Sequence, residues 1–253
     1  MNILISNDDG IGAVGIKALV DELSSKHSLT VVAPAIQQSA VSKALTLYSP
    51  LRAERVTLSG HEEIEAFAVM GTPVDCIRLG LGNLISQKPD LVISGINVGH
   101  NVGTDTLYSG TCAAAQEAAI RGFNSLALSC CSFKPRHMDT AAKVGARMIE
   151  YIKKLPPPFG VFYNVNIPDL PFEELKGIKR ARLGIVRYED EYIRRVDTIG
   201  RDYYWAPRQK INDLKNEDTD ERWVFEGYVT ITPLSYNNDV KSLVLEGIDE
   251  TLA

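Results

Sequence analysis

Apolar residues along this chain alternate between two rhythms. Strand-length runs with little exposed pattern fall at residues 2–6, 29–33, 91–94, 125–129 and 161–167, and residues 64–70 alternate with period two. Between them the spacing turns helical. Ile16, Leu19, Val20 and Leu23 share one face of a helix over 17–26, and Val74, Ile77, Leu81 and Leu84 share one face of a helix opened by Thr72-Pro73-Val74-Asp75. There Thr72 suits the cap, Pro73 the first helical position and Asp75 the positive end of the dipole. An alanine-rich helix is predicted over 109–122, ended by Gly122, and another over 140–154, stopped by Pro156-Pro157-Pro158. Strand and helix in alternation predict an α/β fold, a mostly parallel sheet flanked by helices on both faces. Such sheets bind ligands beyond the carboxyl ends of their strands, which directs attention to the loops after Ser6, Ala33, Ser94 and Ser129.

Beyond about residue 160 the texture changes. Residues 181–188 and 192–205 read as β-ribbons with exposed arginines, tyrosines and acids, 215–222 as a charged loop, and 227–234 as a strand ended by Pro233. The expected organisation is one domain over 1–253, with a core of about 1–176 and 221–253 and a β-hairpin arm over about 177–220. A long hairpin is marginal alone in water, so a projecting one is expected to pack on a partner subunit.

Composition narrows the class. The 253 residues are 45% hydrophobic and 23% charged, as in globular proteins, and the net charge of −5 argues against a nucleic-acid polymer as partner. Four cysteines (Cys76, Cys112, Cys130, Cys131) form no CxxC pair, which favours a reducing, cytoplasmic setting. The first eight residues lack the basic and apolar regions of a signal peptide. The apolar stretch 91–104 carries three glycines and two asparagines, so no membrane span is expected.

The loop after the first strand reads Asn7-Asp8-Asp9-Gly10-Ile11-Gly12-Ala13-Val14-Gly15. Gly10, Gly12 and Gly15 match G-x-G-x-x-G. A dinucleotide site would also need an acidic residue about 20 positions on, yet residues 23–53 contain no Asp or Glu. A P-loop is out of register, because Ile16 separates Gly15 from Lys17. Asp8 and Asp9 carry more information. Adjacent carboxylates repel unless a cation neutralises them, and an all-oxygen set suits a hard divalent ion. The alternative is turn chemistry, with one Asp capping the next helix and the other in solvent.

The loop after the strand at 91–94 is long, rich in Gly and Asn, and uncharged until Asp105. It offers Asn97 as a neutral oxygen donor and Asn101 as an amide for an anion. Tyr108-Ser109-Gly110-Thr111 then opens the alanine-rich helix, whose free backbone N–H groups suit a phosphate. The alternative is an ordinary capped helix behind a flexible loop. Ser39, after the second strand, offers a hydroxyl.

Taken together, Asn7-Asp8-Asp9-Gly10, Ser39, Ser94-Gly95-Ile96-Asn97-Val98-Gly99 with Asn101, Tyr108-Ser109-Gly110-Thr111, and the closing Gly227–Leu234 strand resemble the survival protein SurE family of metal-dependent 5′/3′-nucleotidases. The resemblance implies a Rossmann-like core with an extended β-hairpin used in homodimers or homotetramers. It implies one divalent cation, Mg²⁺ or Mn²⁺, on Asp8, Asp9, Ser39 and Asn97, with the substrate phosphate on Asn101, Ser109, Gly110 and Thr111. Asp8 and Asp9 are its catalytic residues and nucleoside monophosphates its substrates. Two positions depart from the family pattern: Ala40 stands where glycine is usual, and Cys112 where valine is common.

The attacking group is either metal-bound water or Asp9. The adjacent aspartates do not fit the Asp-x-Asp-x-Thr spacing of aspartyl-phosphate enzymes, which favours water. Of His27, His61, His100 and His137, only His100 lies in a candidate loop as a proton donor. Asp218 and Asp220 precede the last core strand and could approach the site, though a solvated charged loop is the favoured reading. Tyr108, Tyr203, Tyr204 and Trp205 could stack on a base, though the last three suit a subunit interface better. The competing class is a non-catalytic nucleotide- or metal-binding regulatory protein on the same scaffold. A sugar-nucleotide enzyme is a weaker third reading.

Overall fold

The computed structural model describes residues 1–188, 191–206, 210–211 and 218–238. In chain order the elements are β1 (Asn2–Ser6), α1 (Val14–Leu23), β2 (Ser28–Pro34), β3 (Ala53–Leu58), β4 (His61–Val69), α2 (Pro73–Leu79), β5 (Leu91–Val98), α3 (Gly110–Ile120) and β6 (Asn124–Cys130). There follow α4 (Met138–Lys154), β7 (Val161–Ile167), β8 (Ile178–Arg180), β9 (Arg187–Tyr188), β10 (Ile193–Val196), β11 (Asp202–Trp205), β12 (Lys210–Ile211), α5 (Asp220–Phe225) and β13 (Val229–Ser235). One nine-stranded sheet runs β3-β4-β2-β1-β5-β6-β7-β13-β8. The six strands from β4 to β7 are parallel, while β3 and β13 pair antiparallel with their neighbours β4 and β7.

Helices cover both faces, so alternate residues of one strand serve different cores. Ile3 and Ile5 of β1 pack with α1 and α4, and Leu4 packs toward α2 and α3. Both sets are buried, which is why the parallel strands read as unbroken apolar runs. Helix α3 is buried on nearly every side. Its alanines let it lie close to the sheet and to α2.

From β1 the chain moves outward through β2 to β4, then returns to place β5 on the other side of β1. This reversal opens a crevice at the carboxyl ends of β1 and β5, where ligands of such sheets lodge. Two local devices shape it. Opposite β6 the register of β5 slips, so that Ser94 faces Ala127 and Asn97 faces Ser129. The bulge re-aims the exit of β5 toward the crevice. A Cβ on Gly15 would sit 1.9 Å from the Ile96 carbonyl oxygen, so the third glycine of the G-x-G-x-x-G pattern brings α1 against the end of β5.

Several expectations shift. The hairpin before β4 adds an edge strand, β3, that its mixed polar sequence did not announce. Pro34 lies inside β2, and Pro233 lies inside β13 rather than ending it. Beyond Ile231 the far side of β13 has no strand partner among the described residues, so the missing N–H of Pro233 costs no ladder bond there. Residues 178–180 belong to the main sheet, so the chain leaves it after Arg180. Of the expected ribbons, β10 and β11 form an antiparallel hairpin, whereas 181–188 is strand only at β9, paired with β12. Within the expected charged loop, residues 215–217 lie outside the described residues, while Asp220 onward is helix. Residues 239–253 of the expected core also lie outside them.

Candidate metal and phosphate site

The turn after β1 is held by a side chain that the sequence did not single out. Buried Asn7 accepts from the Gly10 N–H at 3.1 Å and donates to the Gly10 carbonyl at 2.9 Å. Gly10 has φ +101°, which glycine adopts freely. Asp8 and Asp9 are thereby presented side by side at the crevice.

Asp8 is 5% exposed. Its Oδ1 accepts from the Thr111 hydroxyl at 2.6 Å, and a Cβ on Gly110 would lie 2.7 Å from the Asp8 Cβ. Only glycine lets the start of α3 approach so closely. Asp9 is half-buried: Oδ2 accepts from the Val98 N–H at 3.0 Å and Oδ1 from the Gln37 amide at 3.3 Å. Burial raises the Asp8 carboxyl from 3.8 to about 6, against the pull of the Thr111 hydroxyl, and the Asp9 charge adds to the rise. Burial raises Asp9 as well. No described Lys or Arg forms an ion pair with either carboxylate.

The structure brings most of the sequence-predicted residues to this crevice, in differing states. Half-buried Asn97 donates to the Gly99 carbonyl at 2.9 Å, and its Oδ1 has no donor among the described residues. Ser39 is exposed, and its Oγ accepts from the Gln37 amide at 2.9 Å. Gln37 therefore links Ser39 to Asp9, a role that no sequence signal marked. The Ser39 loop is tied down where the Gln38 N–H meets the Asp8 carbonyl at 2.7 Å. Ala40 there has φ +58°, the left-handed conformation that the family's usual glycine would adopt without strain.

Ser109 caps α3 by accepting from the Cys112 N–H at 3.1 Å. The N–H groups of Gly110 and Thr111 precede the first intrahelical bond and lie at the positive end of the helix dipole. The Thr111 side chain is committed to Asp8. Asn101 is buried and turned inward. Its Nδ2 donates to Ser129 Oγ at 2.9 Å, and its N–H donates to Asn166 Oδ1 at 2.8 Å. Its carbonyl accepts from Asn164 at 2.8 Å and Asn166 at 2.9 Å. Asn164, Asn166 and Ser129 are fully buried on β7 and β6. Only the alternation of asparagines in β7 hinted at them.

Asp220 overturns the solvated-loop expectation. It is fully buried and accepts from the N–H groups of Gly103 at 2.9 Å, Gly184 at 3.0 Å and Glu221 at 2.9 Å. It clamps the β5–α3 loop to the root of the arm. Burial raises its carboxyl above the usual range. The Cys112 thiol is pushed up to about 12 by burial, so it serves packing rather than reactivity.

Fold and site together define a doubly wound α/β protein with an oxygen-donor site at its switch point, flanked by a helix N-terminus. Comparison with known proteins sharpens that class. The family model described as "Survival protein SurE" matches residues 3–190. A protein of Synechococcus sp. (strain JA-3-3Ab) named 5′-nucleotidase SurE is 45% identical over 236 residues, covering 92% of this chain and 91% of its own. Another of that name from Thermosipho melanesiensis is 44% identical, covering 93% of this chain and 91% of its own. The crystal structure of the SurE protein from Aquifex aeolicus superposes with a TM-score of 0.82 at 36% identity, covering 95% of both chains. The chain belongs to the survival protein SurE family.

Proposed function

We propose that this protein is a metal-dependent phosphomonoesterase that hydrolyses nucleoside 5′- and 3′-monophosphates to nucleoside and phosphate. The observation that carries the reading is the pair of adjacent, desolvated carboxylates beside the N-terminus of α3, with no described cationic side chain paired to them. The relatives named 5′-nucleotidase SurE support the substrate class.

The donor set fits a hard cation. Two carboxylates and the neutral oxygens of Asn97 and Ser39 make up the set, with Ser39 joined to Asp9 through the Gln37 amide, and no cluster of three or more His, Cys, Asp or Glu occurs among the described residues. Mg²⁺ in particular is commonly held by one or two carboxylates, with substrate phosphate completing its shell. Asp8, Asp9, Asn97 and Ser39 would hold one Mg²⁺ or Mn²⁺. Once bound, the ion supplies Lewis-acid stabilisation of charge building on the phosphoryl oxygens. The N–H groups of Gly110 and Thr111 orient those oxygens along the helix dipole, with the Ser109 hydroxyl beside them, while Asn101, whose amide is committed to Ser129, supports the loop from within. The Thr111 hydroxyl fixes the Asp8 rotamer. Asp9 Oδ1, whose one partner among the described residues is the exposed Gln37 amide, would take a proton from the attacking water. Dimers or tetramers built on the arm, and a cytoplasmic setting, complete the proposal.

The test is release of inorganic phosphate from a panel of 5′- and 3′-nucleoside monophosphates with Mg²⁺ or Mn²⁺, repeated in excess EDTA. Release that EDTA abolishes is expected. No release from any nucleotide by folded, metal-supplied protein would leave the chain a binding module.

A further inference from the structure

Three aromatic rings from three separate elements converge beside the crevice. His100 follows β5, Phe133 follows β6, and Phe225 ends α5. The ring centroids of His100 and Phe133 lie 5.6 Å apart, and those of His100 and Phe225 5.8 Å apart, both edge to face. Phe133 is 76% exposed and Phe225 57%. Leaving such rings in water forfeits the burial that aromatic side chains ordinarily gain, so a cluster of them marks a surface that something covers.

The cluster is part of the candidate site's own loop. A Cβ on Gly99, which has φ +110°, would lie 2.8 Å from Phe133 Cε1, so the ring rests on the Gly99 backbone. The carbonyl of that glycine receives the Asn97 amide. His100 is two residues past Val98, whose N–H holds Asp9. Two residues of extended chain span at most about 7 Å. The rings therefore begin within one loop's reach of the carboxylates, on the β6–β7 side of the crevice.

We propose that Phe133, Phe225 and His100 form the wall on which the base of a nucleotide substrate stacks while its phosphate lies at the α3 N-terminus. The inference rests on the phosphomonoesterase reading above and adds the residues that recognise the nucleoside. Every base presents a π-face, and stacking on an aromatic side chain tolerates differences in sequence or base type. A wall of π-faces accepts purines and pyrimidines alike, with larger rings favoured.

The experiment compares adenosine 5′-monophosphate with ribose 5-phosphate, which keeps the ester and lacks the base. Phe133→Ala and Phe225→Ala are expected to lower kcat/KM for the nucleotide about tenfold, chiefly through KM, as loss of one stacking partner does. Activity on ribose 5-phosphate is expected to stay within about twofold of wild type, because the ester contacts are untouched. Phe133→Leu, which keeps apolar bulk without the π-face, is expected to behave like Phe133→Ala. Equal losses on both substrates, or none on either, would overturn the wall. So would a change in sedimentation of either variant, since the rings would then belong to a subunit interface. Wild-type protein inactive on both esters would instead refute the phosphomonoesterase reading itself.

Discussion

Asn166 is the position where removal of one side chain should loosen the candidate site without touching it. It is fully buried, with Oδ1 holding the Asn101 N–H at 2.8 Å and Nδ2 holding the Asn101 carbonyl at 2.9 Å. Asn166→Ala strands the Asn101 N–H away from water, which costs about 1–3 kcal/mol. The carbonyl keeps its bond from Asn164, so loss of the second bond adds only about 0.5–1.5 kcal/mol. The sum is about 3 kcal/mol, or roughly 6–12 °C in Tm for a chain of this size. Asn164→Ala removes one of two donors to the same carbonyl and should cost about 1 kcal/mol. Urea unfolding followed by tryptophan fluorescence measures both, and the comparison requires an unchanged m-value. An Asn166→Ala loss below about 1 kcal/mol, or one equal to that of Asn164→Ala, would refute the reasoning, because the orphaned N–H is what separates them.

Three further outcomes are expected. Asp9→Asn can keep the Val98 bond while removing a charge from the metal site, so phosphate release should fall about 10³-fold with urea stability unchanged or raised; wild-type turnover would refute the site. Ala40→Gly relieves left-handed strain of about 1–2 kcal/mol and adds back about 0.4–1 kcal/mol of unfolded-chain entropy, so thermal melting should show a small rise in Tm, and a fall would contradict it. Asp220 has a folded pKa raised by burial, so its ionisation is harder in the folded chain. Its contribution is fully present below the unfolded pKa and lost as pH rises through the folded one. The stability gap between wild type and Asp220→Asn should therefore narrow as pH rises from below the unfolded Asp pKa of about 3.9, and urea titrations that show it widening would contradict the assignment.

Much of the fold was legible because burial on both faces writes itself into the chain. The apolar runs of β1, β2, β5, β6 and β7 and the helix start at Thr72-Pro73-Val74-Asp75 were readable one segment at a time. The structure makes that start a capping box, with Thr72 and Asp75 each bonding the other's backbone. What stayed hidden was polar and non-local. Strand β3 has an exposed, charged sequence and exists because β4 pairs with it. Asp220 looked solvated because its neighbours are charged, yet its three donors come partly from Gly103 and Gly184, 117 and 36 residues away. Asn164 and Asn166 could not be told from surface asparagines until Asn101 arrived against them.

The sequence by itself determined the alternating α/β order, the paired carboxylates, the glycine-opened helix and the family, because each depends on residues close together in the chain. Only the tertiary structure decided that Thr111 serves Asp8, that Gln37 joins Ser39 to Asp9, and that Gly15 is small for the sake of Ile96. Those pairings depend on which strand lies beside β1. That order is set by packing both faces of a single sheet, a property of the whole chain and of no one segment.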